Sequence, residues 1–305
     1  MKIVVTGAFS FTGKYISRRL LARGDEVITL TNHPNRPDPF AGKVKAFPLA
    51  FEDEKGLRES MLGSEVLVNT YWVRFDRGAN TQESAVENTR RLVLAAQSAG
   101  IGRVVHISIA NPSAASPLPY YRGKAANEEI LIRSGLTYAI LRPTLIFGRE
   151  DILINNMAWL LRHFPFFIQI GDGQYKVQPV FVDDLAEVAA EVCHLQQNQI
   201  RDVAGGEIFT FDDLVHQIGQ SIGRPRPVLH APPPLALAAS RGMGLFLGDR
   251  LLTQQEMDGL RQGLLVSAEA PLGRTGLTDW LSQNREVVGR SYASEIARHY
   301  RSPMR

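Results

Sequence analysis

Residues 4–24 constrain this chain more than any other stretch. The run KIVVT, ending at Thr6, is β-branched and reads as a buried strand. Gly7 breaks it at once. Gly13 opens a segment that brings Ile16, Leu20 and Leu21 onto one helical face, with Arg23 and Gly24 as its C-terminal end and cap. Strand, glycine-bounded turn and helix, in that order, is how a dinucleotide-binding βαβ unit begins. Glycines let the backbone approach a pyrophosphate, and the helix N-terminus supplies unbonded N–H groups and partial positive charge. Ser10 stands midway between Gly7 and Gly13. It needs a backbone angle that an L-residue tolerates, and its hydroxyl adds a donor for phosphate. On the turn alone, an ordinary strand–turn–helix of another α/β fold competes with nucleotide binding.

A chain of 305 residues holds one nucleotide-binding domain plus a smaller lobe. Its single cysteine, Cys193, excludes an internal disulfide and a cysteine-cluster metal site, and its alanine-rich surroundings mark it as core. The net charge is +3 and the pI about 9.0, with no dense Lys/Arg tract, so nucleic acid is not indicated. With the first strand beginning at Lys2, no secretory or transit peptide is visible. No apolar run is long enough to span a membrane. The expectation is a soluble, cytoplasmic protein.

Further strands are expected at residues 26–31, 44–48, 65–69, 103–107 and 138–141, with helices at 55–62, 81–100 and 117–134. That alternation predicts a parallel, doubly wound α/β sheet. The domain is expected to end at 148, with a smaller, mostly helical lobe over 149–305 from which 177–195 returns to the first domain. In the lobe, helices are expected at 152–164, 183–195, capped by Asp183 or Asp184, and 212–222, and strands at 177–182, 208–211 and 228–230. Residues 235–252 are apolar but carry Arg241, Asp249 and Arg250; they read as a lobe helix, or as one facing a partner, a second copy or a membrane surface. Residues 253–305 look helical and carry no chemical signal.

The second strand ends at Asn32-His33-Pro34-Asn35-Arg36, with no acidic residue between Val27 and Asp38 to receive a ribose hydroxyl. Asn32, His33 and Arg36 suit a 2′-phosphate instead, since an Arg fork matches phosphate geometry. This favours NADP over NAD. A solvated loop that touches nothing is the alternative. Asp53 is placed either to reach the adenine or to cap the next helix. Asn69, Thr70, Tyr71 and Trp72 end a strand at the sheet edge where ligands bind, the aromatic pair walling a nicotinamide pocket or packing the loop.

The sequence Tyr120-Tyr121-Arg122-Gly123-Lys124 contains Y-x-x-x-K, which puts Tyr120 and Lys124 on one helical face. A phenol has a pKa near 10 in water, and a nearby ammonium favours the phenolate, so the pair suits proton exchange near neutral pH. An exposed helical Tyr and Lys is the plainer reading. Arg149-Glu150-Asp151 and Gly171-Asp172-Gly173-Gln174 follow the sheet edge and either meet substrate or form turns. His106 alternates into the sheet as a packed residue, and His163, His194, His216 and His299 show no metal spacing.

TGAFSFTG, Asn88, HISIAN, YYRGK, LRPTLIFG and PVFVDDLA together resemble the atypical and extended short-chain dehydrogenase/reductases. Within them the chain is similar to the NAD(P)-binding nucleoside-diphosphate-sugar epimerase-like and NmrA-like proteins, a group related to the nucleotide-binding accessory subunit of respiratory complex I. The likeness runs from Met1 to about Phe211. It implies a Rossmann fold and a pyrophosphate lined by Gly7, Ser10, Phe11, Thr12 and Gly13. It also implies a ribose near the Asn32–Arg36 loop, Asn69 and Thr70 along the cofactor, and Pro143 beside the nicotinamide. Tyr120 is implied as acid/base and Lys124 as its electrostatic partner. The family's substrate-polarising Ser or Thr is implied at Ser108, although the later family position is Ala110, with Asn111 or Ser113 nearby. The resulting expectation is an NADP- or NAD-dependent oxidoreductase or epimerase acting on a small-molecule substrate. Its rival is a non-catalytic NADP(H)-binding sensor or assembly protein.

Overall fold

The structure is a computed structural model that describes residues 1–33, 36–249 and 253–300. In chain order the first elements are β1 (Lys2–Thr6), α1 (Phe11–Ala22), β2 (Glu26–Thr31), β3 (Lys45–Pro48), α2 (Glu54–Met61) and β4 (Val66–Asn69). Then come α3 (Gln82–Ser98), β5 (Arg103–Ile107), α4 (Pro119–Ile132), β6 (Thr137–Pro143), β7 (Leu145–Phe147), α5 (Leu153–His163) and β8 (Phe167–Ile170). Next are β9 (Lys176–Val177), β10 (Pro179–Phe181), α6 (Val182–Cys193), β11 (Gln199–Val203), β12 (Phe209–Thr210), α7 (Phe211–Ser221) and β13 (Val228–Ala231). The helices α8 (Pro233–Leu247), α9 (Gln254–Arg261), α10 (Leu277–Asn284) and α11 (Glu295–Tyr300) finish the chain.

One unit comprises Met1–Pro143 and Val182–Val203. It holds a seven-stranded, all-parallel sheet in the order β11-β6-β5-β4-β1-β2-β3. Central strands are buried along their whole length, as β4 and β5 are here, because helices cover both faces. Arg103 donates to the Val192 carbonyl of α6 at 2.8 Å, whereas Val104, next along β5, lies in the core with Leu92 of α3 and Leu131 of α4. Side-chain alternation therefore puts these helices on opposite faces. The chain leaves β1 towards β2 on one side and reaches β4 on the other, so the crevice at their carboxyl ends is the switch point where such sheets bind ligands. The doubly wound Rossmann fold is thus present.

The second unit comprises Thr144–Phe181 and the chain from Ala204 on. Its strands pair as β10-β7, β12-β9 and β13-β8, and its core gathers Phe147, Met157, Leu214, Trp280 and Leu281.

Several elements differ from expectation for identifiable reasons. The strand expected at 177–182 is two pieces, because buried Gln178 changes the chain's partner. Its side chain donates to Gly205 O at 2.7 Å and accepts from Ser267 N at 2.9 Å. Helix α6 starts one residue early, so Asp183 and Asp184 sit in its first turn, and Asp183 forms a two-pronged ion pair with Arg19 (2.9 and 2.5 Å). Prolines 233 and 234 open α8 at its first positions, where a missing N–H costs nothing. Residues 250–252 of the apolar stretch lie outside the described residues, as do 34–35 and 301–305. The strands β7, β8 and β11 were not expected.

Candidate functional site

Two clusters at the carboxyl edge of the sheet carry the site. The first is the turn between β1 and α1. Gly7 has φ +67°, which an L-residue resists. Its N–H donates to Leu30 O at 2.8 Å, and its carbonyl accepts both Ser10 N (2.8 Å) and Ser10 Oγ (2.6 Å). Ser10 itself is extended (φ −90°, ψ 173°), so serine is unstrained at this position. Its hydroxyl, however, points back at Gly7 O. A Cβ on Gly13 would lie 2.2 Å from Gly7 O, so glycine alone allows α1 to dock this closely. The first helical bond runs from Lys14 N to Ser10 O at 2.9 Å, which leaves the amides of Phe11, Thr12 and Gly13 at the helix start. Amides at a helix start that follows a glycine turn are the donor set an anionic pyrophosphate requires, so the residues present in this cradle fit NAD(P).

Beside the cradle, Thr70 N donates to Thr6 Oγ1 (2.7 Å) and Thr70 Oγ1 to Thr6 O (2.5 Å), tying β4 to β1. Asn69 is buried. Its Oδ1 accepts Tyr71 N at 3.0 Å, which turns its Nδ2 towards His106 Nδ1 at 3.1 Å. His106 therefore carries its proton on Nε2. Burial, then the charge of Lys124, pushes its pKa down to about 3, so it is a neutral packed histidine. At the end of β2, Asn32 is exposed and His33 and Arg36 are half-buried. Arg36 N donates to His33 O at 3.1 Å, closing the turn. Asp38 is engaged by Phe40 N (2.8 Å) and Gly42 N (2.6 Å). Asp53 caps α2 through Gly56 N at 2.9 Å.

The second cluster joins β5 to α4. Tyr120 is half-buried, edge-on to Trp72 with centroids 5.7 Å apart. Lys124 is buried, its Nζ donating to Ile107 O at 3.0 Å and lying 4.9 Å from the Trp72 ring centre. Burial pulls its pKa down to about 7, against the opposing pull of Glu128. Trp72 thus walls the Tyr–Lys face, while Tyr71 packs on Phe51 and accepts a bond from Asn88 Nδ2 at 3.0 Å. Ser108 is buried and donates to Glu128 Oε1 at 2.5 Å. Arg142 grips the same carboxylate through Nε (3.0 Å) and Nη2 (2.5 Å). Ala110 is buried, its N–H on Pro143 O at 2.9 Å, and Asn111 adopts φ 53°. Pro143 is buried at the end of β6.

Sequence reasoning missed Glu128 and Arg142. Glu128 follows Lys124 by one further helical step of four, so the series Tyr120, Lys124, Glu128 marked one face in advance. Of the other candidates, Asp151 is buried and binds Ile154 N at 2.7 Å, beginning α5 instead of lining an open surface. Cys193 is core, its thiol pushed up to about 12 by burial. No metal-ligating cluster occurs among the described residues.

The parallel sheet with helices on both faces is a Rossmann-like fold, the class to which NAD(P)-binding proteins belong. Residues 7–151 match the NAD(P)H-binding family model. The expected likeness to short-chain dehydrogenase/reductases and their complex I relatives is borne out. The chain is 26% identical over 247 residues to an Arabidopsis thaliana protein, NADH dehydrogenase [ubiquinone] 1 alpha subcomplex subunit 9, mitochondrial. That match covers 77% of this chain and 61% of the relative, so the chain spans about three fifths of that relative's length. An Escherichia coli NADPH-dependent quinone oxidoreductase, QOR2, solved with NADPH, superposes with TM-score 0.76 at 21% identity, covering 92% of this chain and 99% of that one. A Staphylococcus aureus nucleoside-diphosphate-sugar epimerase does so with TM-score 0.74 at 17% identity, covering 92% of this chain and 100% of that one. These two likenesses establish the fold.

Proposed function

We propose that the protein is an NADP(H)-dependent oxidoreductase acting at a hydroxyl or carbonyl carbon of a small molecule, with Tyr120 as its acid/base. The observation that carries this reading is the placement of Tyr120 and Lys124 on one face of α4, with Lys124 fixed to the end of β5, in the same unit as the cradle. Bound NADPH would supply the hydride. Tyr120 would give its proton to the substrate oxygen and recover it from solvent. The Lys124 ammonium would stabilise the phenolate left behind, and Trp72 would shield the pair from bulk water. In the oxidative direction the same groups run in reverse. The Asn32–Arg36 turn, with Asp38 already engaged, favours NADP over NAD.

A second reading is a non-catalytic NADP(H) binder. It is favoured by the Ser108 hydroxyl, which is already committed to Glu128 Oε1 at 2.5 Å. The similarity to a subunit of a larger respiratory assembly points the same way. The deciding experiment is NADPH titration followed by transfer of deuterium from 4-deuterated NADPH to a panel of carbonyl compounds. Transfer that falls at least about a hundredfold in Tyr120→Phe, with NADPH affinity kept, supports the enzyme. Tight NADPH binding without transfer supports the binder. Transfer unaffected by Tyr120→Phe removes the tyrosine from the mechanism.

A further inference from the structure

The second unit carries an exposed face whose chemistry the nucleotide site does not use. In α8, Pro234, Leu235, Ala238, Ala239, Gly242 and Leu245 are all exposed. Their spacing puts them on one side of the helix, opposite buried Ala236 and Leu237. Leu235 is 64% and Leu245 87% exposed. A helix on a protein surface ordinarily turns charged residues outward; among the described side chains of α8, the six that are exposed are uncharged.

The apolar surface continues onto the β8–β13 pair. Ile168 and Leu229 are register partners and both exposed, so they share the outward face. Two residues on, that face is covered where Ile170 and Ala231 pack on Ala236. At the opposite end of the same strands, Phe166 is exposed beside the Phe167 N to Pro227 O bond of 2.9 Å. Here the surface becomes basic. Arg226 Nε donates to Leu161 O at 3.3 Å. Arg162 donates to Val288 O (3.0 Å) and Arg285 O (2.6 Å). Burial and the charges of Arg290 and Arg224 depress the proton affinity of Arg162, against a raising influence from Glu286. Five arginines thus gather at one end of strands four residues long, roughly 13 Å from the start of the apolar helix face.

We infer that this face docks on an anionic phospholipid bilayer, α8 lying along the surface and the arginines reaching the headgroups. Charge complementarity selects the occupant: arginines clustered against Glu286 demand an anionic partner, and leucines with a phenylalanine and an isoleucine demand an apolar layer beneath it. A bilayer interface offers both at this spacing. Nucleic acid offers no apolar layer to take Leu235 and Leu245. No described helix is long and apolar enough to cross a membrane, so the contact is interfacial.

The test is flotation of the full chain with vesicles of phosphatidylcholine alone and of phosphatidylcholine mixed with phosphatidylglycerol, over a range of salt. The expected result is retention on the mixed vesicles, weakened by salt, and little on the neutral ones. The double variant Arg224→Ala/Arg290→Ala should bind about twentyfold more weakly, each arginine being worth about fivefold. Leu245→Glu, at an exposed position that leaves packing intact, should weaken binding about tenfold or more. Thermal melts of both variants check that they fold. Equal retention on both vesicle types, no retention, or retention that neither variant alters overturns the inference. So does a wild-type dimer, seen by light scattering and abolished by Leu245→Glu, in place of vesicle binding.

Discussion

The cradle at the β1–α1 turn and the polar cluster between β5 and α4 lie on one sheet but are built by opposite means. The cradle is held by absence. Gly7 takes a backbone angle closed to other residues, and Gly13 leaves room for a carbonyl. The cluster is held by charge in a dry place: Lys124 under Trp72, and Glu128 between Ser108 and Arg142. Shape does not titrate, whereas a buried charge does. The hold on the pyrophosphate should therefore be nearly indifferent to pH and intolerant of a methyl group. The cluster should tolerate small changes of shape and respond strongly to protonation.

Gly13→Ala attacks the cradle directly. Its Cβ meets Gly7 O at 2.2 Å, so α1 must move off the strand. The expected outcome is a loss of about 3 kcal/mol in denaturant unfolding, with NADPH affinity down more than about tenfold. Unchanged affinity in a folded variant would show that the amides at the start of α1 do not hold the phosphates.

Lys124→Met tests the other half. Below about pH 7 both folded and unfolded chains carry the Lys124 proton, and the full cost of burying the charge is present. Between about 7 and 10.5 the folded protein has released a proton that the unfolded chain still binds, so wild-type stability rises with pH through this window. Above it both are neutral. Relative to the methionine variant, the wild type should therefore gain about 4 kcal/mol from about pH 6 to about pH 10. Parallel stability curves would mean that Lys124 is neutral throughout or exposed to water. Glu128→Gln should cost about 2 kcal/mol, because it strips the charge that Arg142 grips, while leaving the NADPH titration unchanged.

This division also explains what could be read in advance. The cradle was legible because a positive φ and a close approach are local demands that glycine alone meets. Tyr120 and Lys124 were legible because a helix repeats every four residues or so. The bond from Ser108 to Glu128 was not, because a hydroxyl finds its acceptor through the fold, and Glu128 stands twenty residues away in sequence on another element. Strand β11 escaped because it is an edge strand, paired through β6, with QIRDV partly exposed and lacking a continuous apolar run. Strands β7 and β8, three and four residues long, are too short for any period to declare itself.

The smallest expected effect sharpens the comparison most, because it separates charge from shape inside the proposed cofactor site. Arg36 sits half-buried in the turn after β2, closed by its own N–H on His33 O. The neighbouring acid, Asp38, accepts from the Phe40 and Gly42 amides. If Arg36 pairs with a 2′-phosphate at this partly exposed position, Arg36→Ala should weaken NADPH about fivefold and leave NADH within about twofold. The difference should shrink as salt is added. Equal weakening of both cofactors would assign Arg36 to holding the turn, and the preference for NADP would then have to reside in Asn32 and His33.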